Sequence, residues 1–442
     1  GAGRWPAAGV LGATGHRVSG RDRKDGAVLA RLRALGVDAR VGHDAANVVG
    51  VDLVGVSTAV GADNPEVRAA EAAGIPVVHR HALLAAIGAL RRTLSVSGTH
   101  GKTTTTTMAV AALEGAGLDP GFIVGGEGLG RGTGAHWSEG PWFVLEADES
   151  DSPFLAPPRA GAIVTNVEAD HLDHHGTLAA LEAAFDRFVV ETDGPVVVCL
   201  DDPGSARLAD VRPDVLTYGT SEAAAIRIVD VATSGDAMTW TVRLDDDRSV
   251  ACRLTVPGLH LARNATAALA LAVAVGADPA GASDGLARYA GVGRRFERRG
   301  EAGGVTFVDD YAHLPTEVRA ALDTTAAGNW GRVVAVVQPH RYSRTEATAA
   351  DYATVFGGVD VVVVTDVYPA GEAPRPGVSG RLVLDAVRRG GQVPVVEWWA
   401  TRPELIDGLV ELLRPGDLCL TLGAGDLTTL PDDLLARMGS DR

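Results

Sequence analysis

Cysteine is scarce. Cys199, Cys252 and Cys419 are the three in 442 residues, far apart and without a CxxC pair. That fits buried thiols in a reducing compartment better than a disulfide framework or a thiolate zinc site. No run is long and apolar enough to cross a bilayer, so membrane insertion is not expected. The first residues lack the basic stretch and apolar core of a secretory signal, and a cytoplasmic protein is expected. Positive charge is also short: 40 Lys and Arg stand against 56 Asp and Glu, a net charge of −16. This argues against nucleic acid or an anionic membrane as the main partner, and any anionic substrate must be met by local basic clusters. Repeats, coiled-coil heptads and low-complexity tracts are missing too.

What remains is an ordinary soluble composition, 46% hydrophobic and 22% charged, long enough for about three domains. Short apolar runs alternate with helical segments, the pattern of parallel α/β units. Residues 16–19 read as a strand ending near Asp22, and residues 4–9 as a poor helix because Gly9 and Gly12 weaken it. Residues 51–57 and 76–78 read as strands, with helices after Asn64 and over 82–90. A dinucleotide-type unit places a strand before its glycine turn. Gly1-Ala-Gly3 opens the chain here, so we expect the first strand to be missing. A second domain follows from residue 93, with short alternating runs over 225–255 read as an antiparallel insert. From residue 293, five strands separated by helices read as a further doubly wound unit. The expected division is 1–92, 93–292 and 293–442.

The chain is organised around Ser95 to Thr105, SVSGTHGKTTT. A short strand runs into a glycine-bounded turn and then a helix from Lys102. Such a turn points backbone N–H groups at an anion, and the helix N-terminus adds partial positive charge. Gly98, Thr99, His100, Gly101, Lys102, Thr103 and Thr104 are therefore candidate phosphate-binding residues, with Lys102 reaching the terminal phosphates and Thr103 ligating Mg²⁺. A strict Walker A is absent, because Val96 stands where its first glycine belongs. At the next strand end, Glu146, Asp148, Glu149 and Asp151 would repel one another without a cation. Oxygen ligands suit Mg²⁺ rather than zinc, and Glu149 is the best candidate; a solvated acidic loop is the alternative. Asp170-His171-Leu-Asp-His-His175 follows another strand, without the HExxH of a zinc site. His171 is favoured as a second Mg²⁺ ligand, with His174 and His175 solvated. His260 and Asn264 read equally as nucleotide contacts or as a helix cap and its surface neighbour. Arg294-Arg295 make an anion clamp at a domain junction. Asp309-Asp310-Tyr-Ala-His313 and Gln338-Pro-His-Arg341-Tyr-Ser-Arg344 follow strands of the third unit; ordinary caps and surface charges are the alternative for part of them.

Taken in order, GTHGKTT, EADESD, TNVEADHLDHHG, GVGRRFE, DDYAHLPTE, QPHRYSRT and DVYPAGE resemble the Mur ligase family, in its alanine-adding form, over nearly the whole chain. The resemblance implies an α/β architecture of three domains: a Rossmann-like UDP-binding unit, a central P-loop ATPase and a C-terminal Rossmann-like unit. It implies an ATP-dependent ligation of L-alanine to UDP-N-acetylmuramate through an acyl phosphate, in peptidoglycan synthesis, by a monomer or weak homodimer. Family roles fall on Lys102 as catalytic cation, on Thr103, Glu149 and His171 for Mg²⁺, and on His260, Asn264, Arg295 and Asp310 for ATP. They fall on His313, Arg341 and Arg344 for the closed acceptor site, and on Gly3, Asp22 and Ser57 for UDP. The shortened glycine start, Gly134 in place of a usual asparagine, Leu314 in place of a frequent second histidine and Leu261 after His260 depart from the pattern. The rivals are a recycling ligase that adds a tripeptide, which typically has tyrosine at the position of Ser150, a non-catalytic ATP-binding paralogue, and an unspecialised metal hydrolase.

Overall fold

The valine run Val361–Val364 is buried at every position, as is Val196–Cys199. Strands apolar on both faces can be satisfied only inside a sheet covered on both sides, and such sheets are mostly parallel. The computed structural model describes residues 5–439 except 24, 58–59, 126–133, 150–151, 171, 235–236 and 327. Gly3, His171, Ser150 and Asp151 thus lie outside the described residues.

The chain divides into two compact units. The first comprises residues 1–232, 239–255 and 261–290, and the second 233–238, 256–260 and 291–442. Within the first, Ser19–Asp22 pairs in parallel with Asp38–Val41, and Val54–Val56 with Val77–His79. The first strand begins at Ser19, three residues later than the pattern suggests. Asn64 caps the helix Pro65–Ala72, its side chain accepting from the Glu66 N–H. Residues Trp5–Ala13 form a helix despite Gly9 and Gly12. The expectation there was wrong because tertiary burial outweighs propensity: Ala7 and Val10 pack into a cluster with Leu84, Ile87, Ile123, Phe143 and Leu145.

A ten-stranded sheet forms the rest of this unit. At its centre Arg92–Ser97 lies between Trp142–Glu146 and Gly161–Val164, parallel to both. Three consecutive carboxyl ends therefore sit side by side, and at such ends α/β sheets place ligands. The strands Ile226–Ser234, Ala237–Arg243 and Ser249–Leu254 continue one edge of this same sheet, the first of them joining in parallel, so the insert extends the sheet.

The second unit holds a six-stranded sheet. Glu297–Ala302 is an antiparallel edge strand on Val305–Asp310; Asp417–Leu422, Arg332–Val337, Val361–Val364 and Val395–Trp398 follow in parallel. One face packs Val318, Leu322, Tyr352, Phe356 and Val387, the other Leu405, Leu409, Leu430 and Leu434. All three cysteines are free and buried. No helix among the described residues is long and apolar enough to cross a membrane.

Candidate functional site

The loop between Ser97 and Lys102 turns on two glycines in left-handed backbone, Gly98 at φ +135° and Gly101 at φ +77°. Gly101 caps the helix Lys102–Gly115 with no side chain of its own, so the helix start is open backbone. Space is as decisive as φ. A Cβ at Gly98 would fall 2.1 Å from Thr165 Oγ1, and one at Gly101 3.0 Å from Asn264 Nδ2. Asn264, on the buried face of Leu259–Ala274, therefore stands against the loop.

The neighbouring strand end holds the loop in shape. The His100 N–H donates to Asn166 Oδ1 at 2.7 Å, and its carbonyl accepts from Asn166 Nδ2 at 3.0 Å and Thr165 Oγ1 at 2.7 Å. The His100 ring donates from Nε2 to Glu168 at 3.0 Å, and the Glu168 N–H donates to Thr99 Oγ1 at 2.9 Å. Asn166 and Glu168 are the residues that sequence reasoning missed. The signal was their place directly after the strand Gly161–Val164, masked by attention to the histidines beyond.

The Glu146 strand end meets the loop from the other side. Lys102 Nζ lies 2.9 Å from Glu149 Oε1, 2.8 Å from its Oε2 and 3.7 Å from Asp148, and donates to the carbonyls of Gly98 and Thr99. Thr103 Oγ1 donates to Glu146 Oε1 at 3.0 Å. Glu149 is 1% exposed, and its Oε2 is buried with no hydrogen bond, only the ion contact. Burial pushes its carboxyl up to about 7, against the pull of Lys102 and with help from Asp148. Burial opposes the charge on Lys102, but Glu149 and Asp148 outweigh it and hold the ammonium above its usual range. One lysine among three carboxylates leaves net negative charge, which draws protons or cations to every member. The donors are oxygen, hard and partly unsatisfied, as Mg²⁺ requires. Among the described residues no group of three His, Cys, Asp or Glu side chains is placed to hold a metal ion.

His175 corrects the sequence reading. It is half-buried, not solvated, because its Nε2 donates to the Glu149 carbonyl at 2.8 Å. His174 is exposed, edge-on to the His175 ring at 5.0 Å. His260 lies in the first turn of its helix and belongs to the second compact unit. Asp22 ends the first described strand, and Ser57 directly follows Val54–Val56.

In the second unit the strand ends carry a separate polar cluster. Arg294 and Arg295 stack on the Tyr311 ring at 4.7 and 5.1 Å. The His313 ring stands edge-on to Tyr311 and 5.3 Å from His340. Its Nδ1 lies 3.0 Å from the Tyr311 carbonyl and 3.3 Å from Glu317, and the His313 carbonyl accepts from Tyr352. Burial, then the neighbouring His313 ring and the Arg344 and Arg341 guanidiniums, drive His340 down to about 3, so it stays neutral. Arg341 pairs with Glu372 at 2.9 Å.

Asp310 is a staple as well as a candidate ligand. Its Oδ2 accepts from the Phe296 N–H at 2.7 Å and its Oδ1 from the Ala312 N–H at 2.8 Å. Asp310→Ala strands two N–H groups and should cost at least ~2 kcal/mol in denaturant unfolding. Burial, against the pull of Arg295, raises this carboxyl from 3.8 to about 6. The folded chain thus binds the proton more tightly than the unfolded one, and this contribution falls as pH rises from 3.8 to about 6. The cost of Asp310→Ala should therefore be larger near pH 5 than near pH 7.5; a cost that grows with pH would contradict this.

Comparison with known proteins covers the chain end to end. The family model described as Mur ligase family, catalytic domain, matches residues 1–92. The Mur ligase middle domain matches 141–272, and the Mur ligase, glutamate ligase domain, matches 294–425. UDP-N-acetylmuramate–L-alanine ligases are similar: that of Kineococcus radiotolerans is 47% identical, covering 96% of this chain and 92% of its own, and that of a Bradyrhizobium strain is 43% identical, covering 97% and 94%. The crystal structure of the Thermotoga maritima UDP-N-acetylmuramate–alanine ligase superposes with a TM-score of 0.83 at 28% identity, covering 100% of this chain and 98% of that one.

Proposed function

This chain belongs to the Mur ligase family, with its three domains in family order, and from that premise we propose how its residues carry the reaction. It is an ATP-dependent C–N ligase that joins L-alanine to UDP-N-acetylmuramate for peptidoglycan synthesis. The observation that carries this is a phosphate loop whose lysine faces the buried Glu149 carboxylate, in a chain matched over nearly its full length by alanine-adding ligases.

The lactyl carboxylate of UDP-N-acetylmuramate attacks the γ-phosphorus of ATP; a P–O bond forms, the bond to ADP breaks, and an acyl phosphate results. The amine of L-alanine then adds to the acyl carbon, the C–O bond to phosphate breaks, and the amine proton leaves with solvent. A carboxylate approaching a polyanion is opposed by like charge, so catalysis here is neutralisation and positioning. Lys102 supplies the fixed cation, and the N–H groups of Gly98 to Thr104 cradle phosphate. Thr103, Glu149 and His171 would hold Mg²⁺, with Glu146 orienting Thr103. Bound there, the metal would supply neutralisation of phosphate charge. Asn264, His260, Arg295 and Asp310 would contact the nucleotide. His313, Arg341 and Arg344 would shape the alanine site, and Gly3, Asp22 and Ser57 the UDP pocket. Domain limits near 92 and 292, a cytoplasmic setting without nucleic-acid partners, and a monomer or weak homodimer complete this reading.

A phosphate-release assay tests it. Release should require ATP, UDP-N-acetylmuramate and L-alanine together. Release without alanine points to a hydrolase, release with a tripeptide in its place to the recycling reaction, and no release at all to a binding protein.

A further inference from the structure

Backbone strain gathers in the loops of the second unit. Among the described residues five non-glycines have left-handed φ; four of them, Arg294, Phe296, Arg341 and Ala370, lie in this unit. Such conformations are costly and persist only where the surroundings over-determine them, most often at functional sites.

Arg341 is the informative one. Its φ is +67°, between the strand Arg332–Val337 and the helix Tyr342–Thr348. A glycine there would relieve the strain but remove the guanidinium. The facing loop keeps the arginine in place. The Arg341 N–H donates to the Tyr368 carbonyl at 2.8 Å, and the Tyr368 N–H donates to the Pro339 carbonyl at 2.8 Å. The His340 and Tyr368 rings stack at 5.7 Å. Ala370, at φ +49°, and Gly371, at φ +91°, then turn that loop back so that Glu372 returns to Arg341. Glu372 Oε1 lies 2.9 Å from Arg341 Nε and accepts from Ser343 Oγ at 2.6 Å, while Oε2 accepts from the Ser343 N–H at 2.9 Å. One carboxylate thus holds the strained arginine and the first turn of the helix that carries Arg344. Arg344 in turn donates to His340 Nδ1 at 3.2 Å. Burial works against the Glu372 charge, but the Ser343 bonds and Arg341 keep its carboxyl below the usual range.

We propose that Glu372 is a positioning residue that sets the Arg341 guanidinium, and through Ser343 the turn bearing Arg344, to receive the α-carboxylate of the amino-acid acceptor. The inference rests on the ligase reading above. Glu372 grips the Nε side of the guanidinium fork, which fixes the direction of its Nη edge, and that edge suits bidentate carboxylate recognition.

The test is steady-state phosphate release with each substrate varied in turn. Glu372→Gln should raise the KM for L-alanine by about tenfold or more, the size expected for loss of a charged hydrogen bond. Its kcat at saturating alanine should stay within about threefold, and the KM values for ATP and UDP-N-acetylmuramate should not move. Arg341→Gln should raise the alanine KM as well, and the double variant should exceed Arg341→Gln alone by no more than the roughly two- to fivefold carried through Ser343, because the rest of the Glu372 effect acts through that arginine and does not multiply. An unchanged alanine KM in Glu372→Gln, or effects that multiply in the double variant, overturns the proposal. Should Glu372→Gln not fold, Ser343→Ala removes one of its bonds and leaves the ion pair; its alanine KM should rise by about two- to fivefold, and an unchanged value again overturns it. If wild-type release proceeds without L-alanine, the ligase reading itself has failed; if release needs alanine but these variants leave its KM alone, this inference alone has failed.

Discussion

Lys102→Ala should lower kcat at least about 100-fold, roughly 3 kcal/mol of transition-state stabilisation, by analogy with the loss of one preorganised oxyanion donor. The lysine is the fixed cation of the loop, 2.8 Å from a carboxylate that is 1% exposed. Its removal also leaves that carboxylate without its partner, and a broken buried pair commonly costs about 3–5 kcal/mol of stability. Lost folding could then be mistaken for lost catalysis. The environment of Glu149 offers a way to separate them. Its carboxyl is already raised to about 7 by burial, so without Lys102 it takes up a proton near neutral pH rather than remaining a bare charge. The destabilisation of Lys102→Ala should therefore shrink as pH falls from the alkaline side to about 7 and level off below it, while the loss of kcat persists. Lys102→Ala combined with Glu149→Gln should recover much of the stability and none of the turnover. Phosphate release and denaturant unfolding on the same variants decide the matter, and wild-type kcat in Lys102→Ala removes the lysine from the mechanism.

How far these groups were legible in the sequence depends on what each needed. The phosphate loop was readable because strand, glycine turn and Lys-Thr are contiguous, and left-handed backbone in a tight turn already calls for glycine before any tertiary contact is known. Glu149 was readable because four carboxylates at the end of a buried strand demand a cation. The brace formed by Asn166 and Glu168 was not. It depends on Arg92–Ser97 and Gly161–Val164 lying side by side, a pairing between segments about seventy residues apart. His175 failed for a similar reason: its partner is a backbone carbonyl, which leaves no mark in sequence. The helix Trp5–Ala13 shows the converse, a weak local signal overruled by burial of Ala7 and Val10. The strained Arg341 was visible as a cation after a strand, but its φ and its tether to Glu372 belong to the facing loop.

Gly98→Ala should be the second most damaging change, with kcat/KM for ATP down about 100-fold, the penalty expected when a positioning element shifts by about 1 Å. Two constraints act at this residue together. Its φ of +135° is one that L side chains rarely adopt, and the added methyl would lie 2.1 Å from Thr165 Oγ1 and 3.0 Å from the Asn166 carbonyl oxygen. Thr165 cannot swing aside without releasing the His100 carbonyl, and the Asn166 backbone cannot move without loosening the bond from the Thr99 N–H to its carbonyl. The strain is therefore carried into the loop that cradles phosphate. Gly117→Ala is the control. Gly117 also has positive φ, +77°, but a methyl there meets nothing within 4 Å. It should cost about 1–2 kcal/mol of stability for the left-handed backbone and leave nucleotide kinetics as in wild type. If both variants lose activity in proportion to stability, the damage is backbone strain in general. If Gly98→Ala alone loses activity while its melting temperature stays near that of Gly117→Ala, contact between the loop and Thr165-Asn166 is what shapes the nucleotide site.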